Sequence, residues 1–155
     1  MARKAQALAL ALFVAFIAIA ACGQEKSSNR IVSEKLIAKF HPSGIPASFK
    51  VSPDSKRIAY VAGEGSKWRV VVDGKEEKQY DATGAGPIFS PDNRRVAYAA
   101  GVGNKSFVVV DEIEGTPYYA IISMGGGRIV FDRPDSFHYL VQKDSEFYLV
   151  EERIE

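Results

Sequence analysis

Short apolar runs alternate with polar turns along most of this chain. "RIAYVA" (residues 57–62), "RVAYAA" (95–100) and "HYLVQ" (138–142) are rich in β-branched and aromatic residues. A polar turn follows each one: "GEGSK", "GVGNK" and "KDSE". Second runs come next, "WRVVVD" (68–73), "SFVVVD" (106–111) and "FYLVEE" (147–152). Aromatic strands are predicted around Tyr80 and around Tyr118 and Tyr119. Turn signals return roughly every ten residues and no helical period competes, which predicts an all-β domain of antiparallel four-strand units.

The runs are copies of one another. Shifted by 38 positions, residues 51–80 fall on 89–118 without a gap and match at about half of the positions. Ser52-Pro53-Asp54 falls on Ser90-Pro91-Asp92, Ala59-Tyr60 on Ala97-Tyr98, and Val70 to Asp73 on Val108 to Asp111. A third, decayed copy begins at Arg133, with a turn two residues shorter. A period near 40 residues marks a unit that recurs because it cannot bury its apolar face alone. "SPDS" and "SPDN" suit a type I turn, with Ser at the first position and Pro fixing φ at the second.

The pattern Phe-Ser-Pro-Asp-x-x-Arg-Val-Ala-Tyr, from Phe89 to Tyr98, and its variant from Val51 to Tyr60 resemble the WD40-like β-propeller repeats of the TolB type. The resemblance covers about residues 45–155. It implies antiparallel β-propeller-like repeats in about three four-stranded units, an incomplete propeller by count, and a role in protein–protein contact. Three units leave three outcomes open: an open ring, a ring completed by another chain, or a non-propeller β-domain. The N-terminal strand in "KLIAKFHPSG" (35–44) is expected to close the last unit or to pair with a second chain.

The N-terminus reads differently. Arg3 and Lys4 precede an apolar stretch over residues 5–21, which is at the short edge of what crosses a bilayer. Cys22, the only cysteine, follows Ile19-Ala20-Ala21 and precedes Gly23. This junction resembles the bacterial lipobox, which implies lipid attachment at Cys22 after removal of a signal peptide over 1–21. An ordinary cleavage after Ala18-Ile19-Ala20 and an uncut anchor are the alternatives. One acyl chain binds a membrane marginally, whereas two or more hold it stably. The polar "GQEKSSNR" reads as a flexible tether over 22–30, ahead of a β-repeat domain over 31–155.

Loss of residues 1–21 leaves 18 basic and 19 acidic residues, and this balance argues against a nucleic-acid partner. With Cys22 lipidated no disulfide is available, so the core must hold the fold alone. His41 and His138 stand far apart without metal-type neighbours, and no metal or other cofactor is expected. No nucleophile elbow, zinc helix or phosphate loop is written, and Gly125 to Gly127 read as a hairpin turn. The repeated Asp54/Asp92 and Asp73/Asp111 lack a calcium-loop spacing, and Asp54 and Asp92 within "SPD" suit their own turn. Glu76-Glu77, Glu112 and Glu114 read as solvated loop acids.

Lys56-Arg57 and Arg94-Arg95 are basic pairs at equivalent points of two units. They either meet an anionic partner or guard strand edges. Trp68, opposite only Ser106 in the second unit, packs between sheets or serves as an exposed contact. The expected protein is a lipid-anchored, periplasm-facing lipoprotein of a bacterial envelope, with a membrane and an envelope protein as partners and a homo-oligomer as a further option. Gly23 after the cysteine permits outer-membrane delivery where two membranes exist. Carbohydrate or peptidoglycan binding through Trp68 and Tyr119 is the alternative, and an enzyme ranks third.

Overall fold

The computed structural model describes residues 31–155. The signal peptide, Cys22 and the tether lie outside the described residues. What is described is all-β, in three antiparallel sheets that each remain open. The first sheet has the order β1 (Lys50–Val51), β2 (Ile58–Glu64), β3 (Lys67–Val72) and β4 (Lys75–Glu76). In the second sheet, β5 (Ala82–Thr83) and β6 (Ile88–Phe89) share one edge of β7 (Val96–Val102). β8 (Lys105–Val110) and β9 (Ile113–Glu114) follow on the other side. In the third sheet, β10 (Ala120–Ile121) and β11 (Val130–Arg133) share one edge of β12 (Ser136–Lys143), and β13 (Glu146–Arg153) takes the other.

The first row of each sheet is thus an interrupted strand. In the first sheet Gly44 bridges Ala62 ahead of β1, and the interruption is a 3-10 turn over Pro46–Ser48. The central hairpins are tight. Gly65 and Gly103 turn them with φ of 60° and 58°, a conformation that costs a residue without Cβ nothing. Gly125 and Gly126 also have positive φ, within a turn between β10 and β11.

The repeated "SPD" builds an identical turn twice. Ser52 donates its hydroxyl to Asp54 Oδ1 at 2.6 Å and accepts the Arg57 N–H at 2.9 Å. Ser90, Asp92 and Arg95 repeat both bonds at the same distances. Ser55 and Asn93 then take the left-handed conformation that ends the turn. Asp73 and Asp111 also repeat. Their carboxylates accept the N–H of Ile58 and Val96, which staples the end of one strand to the start of its neighbour.

Alternation along β2, β3, β7 and β8 sends side chains to both faces, and the sheets pack face to face. Ala59, Val61, Val70 and Val72 of the first sheet meet Tyr98, Ala100, Phe107 and Val109 of the second around Tyr80. The opposite face of the second sheet, with Ala97, Ala99 and Val108, meets Phe137, Tyr139 and Val141 of the third. Tyr60, Ala62 and Val71 cover the outer face of the first sheet, with Phe40 and Phe49 against Tyr60.

Two expectations need correction. The aromatic fourth strands are mostly single bridges, Trp68 to Tyr80 and Ser106 to Tyr118, beside the two-residue β4 and β9. In the third unit, among the described residues nothing pairs with the outer edge of β13. Nor do residues 35–43 form a strand that closes the last unit. They run over the first sheet, where Tyr60 Oη accepts the His41 N–H at 2.8 Å.

Candidate functional site

A concavity of about 460 Å³ opens between the first and second sheets at their hairpin end. Three stretches of chain build it. The 3-10 turn supplies Ala47 and Ser48, set between Ile45 and Lys50. β2 and β3 supply Val61 and Trp68. Thr83, Gly84 and Gly86 come from the first row of the second sheet. Pro46 starts the turn because its fixed φ suits a first helical residue. Ser48 holds the turn down, donating to Ile45 O at 2.6 Å and accepting the Val61 N–H at 2.8 Å.

Trp68 lies opposite Gly63, and the indole occupies the space above that glycine: a Cβ there would sit 2.7 Å from the ring. Gly63 therefore lets the ring lie flat across β2. The same glycine recurs as Gly101, but opposite it stands Ser106. The equivalent cleft between the second and third sheets, lined by Ala99, Ser106, Ile121 and Ser123 among others, holds only about 110 Å³. One repeat has been opened and furnished with an aromatic wall; the next has been filled.

The groove is apolar on one side, through Ile45, Val61 and Trp68, and polar on the other. Its lining carries no carboxylate or imidazole. Lys67 pairs with Asp81 nearby, and that contact, with the Gly103 N–H, holds the Asp81 carboxyl below its ordinary value. At Gly86 the backbone is bare, with open space where a side chain would stand. Such a surface suits an apolar side chain of an extended peptide, or a sugar ring stacked on indole.

The basic pairs lie elsewhere. Arg57 just precedes β2, whereas Trp68 faces Gly63 six residues further along, about 20 Å at 3.3 Å per residue. Arg57 is a structural clamp. Its Nε bonds Asp73 at 2.8 Å, and its guanidinium also donates to the backbone oxygens of Asn93 and Arg94 at 2.9 Å, tying two turns together. Arg95 pairs with Asp111 at 2.9 Å. Lys56 and Arg94 project into solvent, reaching only Asp54 and Asp92 at 4.0 and 3.7 Å. The four cations thus divide into two that hold the fold and two that are free to meet a partner.

Tyr119 is exposed and lines a second cleft at the hairpin end, with Lys105, Tyr118 and Lys143, one unit along from Trp68. His41 and His138 each face one carboxylate, Glu76 at 3.3 Å and Asp132 at 2.8 Å. Among the described residues no three His, Cys, Asp or Glu side chains converge, and no helix is long and apolar enough to cross a membrane.

Sequence reasoning missed Ile45, Ala47, Ser48 and Lys50, which carry no strand period. Pro46 is the signal that marks their turn. Comparison with known proteins brings no family model that matches this chain and no curated relative.

Proposed function

We propose that this chain is a lipid-anchored envelope lipoprotein whose propeller-like β-repeat domain is a non-catalytic protein-binding or scaffolding module. The observation that carries the binding role is the Trp68 groove. A repeat architecture places equivalent positions side by side, and here one of two equivalent clefts is about four times larger and walled by an indole. A difference of that kind between copies serves contact better than packing. The envelope setting rests on the sequence around Cys22, and the propeller-like form on the repeated Phe89–Tyr98 pattern together with successive sheets stacked face to face.

Two experiments test this. Wild-type chain and Trp68→Ala, captured from envelope extract after cross-linking, should differ by the loss of a discrete protein partner from the variant. An identical set of captured proteins would remove the groove from the account. Replacing Cys22 by Ser should abolish incorporation of a fatty-acid analogue and leave a precursor longer by 21 residues. Labelling that persists in that variant rules out the anchor.

One observation favours a second reading. Trp68 and Tyr119 sit at the same hairpin end, in successive clefts, as aromatic platforms for a glycan would. Sedimentation with purified cell wall that is lost in a Trp68→Ala/Tyr119→Ala double variant would select carbohydrate over protein.

A further inference from the structure

We propose that the Tyr119 cleft, between the second and third sheets at their hairpin end, is a binding site for an acidic sugar. The ring lies on Tyr119 and its carboxylate is held by Lys105 and Lys143, an assignment that rests on the glycan reading of Tyr119 and leaves the Trp68 groove aside. The cleft holds about 320 Å³. That is the lower end of the range for small-ligand sites, roughly 300–1,000 Å³, and suits one ring better than a chain.

The preceding junction shows what has changed here. Between the first and second sheets Lys67 pairs with Asp81, whose other oxygen accepts the Gly103 N–H at 2.8 Å. One carboxylate thus neutralises the cation and ties it to the next hairpin. The registers fix the equivalents one unit along. Tyr80 bridges Trp68 as Tyr118 bridges Ser106, so Tyr119 stands in the place of Asp81. Lys105 opposes Val102 as Lys67 opposes Glu64. Lys105 therefore keeps the cation of Lys67 and has lost the acid that answered it. In the third sheet Lys143 takes the place of Val102 and adds a second cation. Asp144 takes the place of Gly103, with φ of 54° against 58°.

Nothing nearby answers the two charges. The lysine ion pairs of the described residues belong to Lys56, Lys67, Lys75 and Lys78, and neither Lys105 nor Lys143 makes one. Asp144 is the one carboxylate in the cleft lining and pairs with neither. Glu146 opposes Lys143 across the hairpin, but its carboxylate accepts the Tyr148 hydroxyl. Tyr119 itself is 62% exposed, while Tyr118 beside it packs on Tyr139 with ring centres 6.4 Å apart. An aromatic ring set in solvent where the repeat had an acid is not there for packing. It offers a flat apolar face with a hydroxyl at the edge, and Thr116 adds a second hydroxyl. A flat face beside two point charges matches a sugar ring that carries a carboxylate. An acidic peptide would engage the lysines and leave the ring uncovered.

The test is calorimetric titration of the full chain in detergent with two acidic disaccharides. N-acetylglucosaminyl-N-acetylmuramic acid represents wall glycan, and digalacturonic acid represents acidic polysaccharide from elsewhere. Each is set against an uncharged counterpart, di-N-acetylchitobiose and the digalacturonate methyl ester. At least one acid should bind about tenfold tighter than its counterpart, the sum of two modest exposed charge pairs, and which acid does so names the source. Lys105→Gln/Lys143→Gln should erase that preference and spare the neutral sugar, whereas Tyr119→Ala should weaken both. All three side chains are exposed, so the variants keep their fold and melting point. Equal affinity for acid and counterpart would overturn the inference and leave Tyr119 a platform for neutral glycan. Tighter binding of a tetraglutamate peptide than of either acid would overturn it in favour of a protein ligand. No binding of any sugar would overturn it together with the glycan reading of Tyr119.

Discussion

The second and third sheets are copies of one unit, yet they live in different surroundings. The second has neighbours on both faces: Tyr98, Phe107 and Val109 face the first sheet, and Ala97, Ala99 and Val108 face the third. Among the described residues the third has one neighbour. Phe137, Tyr139 and Val141 are buried against the second sheet, while Leu140, Phe147 and Leu149 on its other face meet solvent. The difference is written in the residues. Each buried position on β8 is Val or Phe, but β13 interleaves Glu146, Glu151 and Glu152 with its apolar residues. Charge on an exposed edge keeps it from pairing indiscriminately. The lesson is that a repeat unit is not stable by itself; it borrows a face from each neighbour, and a unit with one neighbour carries charge on its open edge.

The largest test of this comparison sets Val108 against Leu149, which occupy the same register position in successive sheets. Val108 is almost completely buried and Leu149 is exposed. Val108→Ala removes two methyl groups from a packed interface and should cost about 2–3 kcal/mol, the transfer term plus a cavity. Leu149→Ala should stay within about 0.5 kcal/mol when measured on dilute monomer. Chemical denaturation of both variants checks this. Equal losses would mean that the third sheet is covered in solution even as a monomer.

A smaller contrast concerns the turns. Ser90 is fully buried and serves both the Asp92 carboxylate and the Arg95 N–H. Ser90→Ala leaves that N–H without its partner, which should cost about 1–3 kcal/mol. The third unit replaces this turn with Pro134 and Asp135, and Ser136 opposes Arg133 directly. Ser136→Ala should fall within about 0.5 kcal/mol. Melting curves that drop equally for the two serines would show that the buried hydroxyl is not what holds the repeated turn.

Most of the strand pattern was legible because it rests on local chemistry. β2, β7 and β12 lie within two residues of the runs read as "RIAYVA", "RVAYAA" and "HYLVQ", since alternation and turn residues act over a few positions. The shortened third turn was visible in the spacing of Pro134 and Tyr139. That the aromatic fourth strands are single bridges at Tyr80 and Tyr118 was not, because a strand edge declares itself only through what pairs with it. The site was half legible. Trp68 stood out by having Ser106 opposite, but the groove needs Ile45 and Ser48 from a stretch without periodicity. Arg57 and Arg95 looked like twins of Lys56 and Arg94. Nothing local says that Asp73 and Asp111, sixteen residues on, take up the guanidinium of one member of each pair.

The smallest effect belongs to a residue that only the first unit carries. Glu77 stands where the second unit has Gly115, each donating its N–H to the equivalent valine carbonyl. Its Oε2 is buried without a hydrogen-bond partner, and burial raises the carboxyl above its ordinary value of 4.5. A raised folded value means that the folded chain holds the proton more tightly than the unfolded one. Below about pH 4.5 both states carry that proton. As pH climbs through the folded value the folded chain must release it, so stability declines and then levels off. Asp54 and Asp92 act at the acid end. The hydroxyls of Ser52 and Ser90 hold their carboxyls below the ordinary 3.8, and their contribution is lost only as pH falls beneath that. Comparing a Glu77 variant with the wild type at pH 4 and at pH 7 therefore isolates Glu77, because every other group titrates in both chains. Glu77→Gln should match the wild type in denaturation midpoint at pH 4 and exceed it at pH 7. A midpoint difference that is the same at both pH values would show that burial of the carboxylate is not felt, and that the first and second units differ here in shape alone.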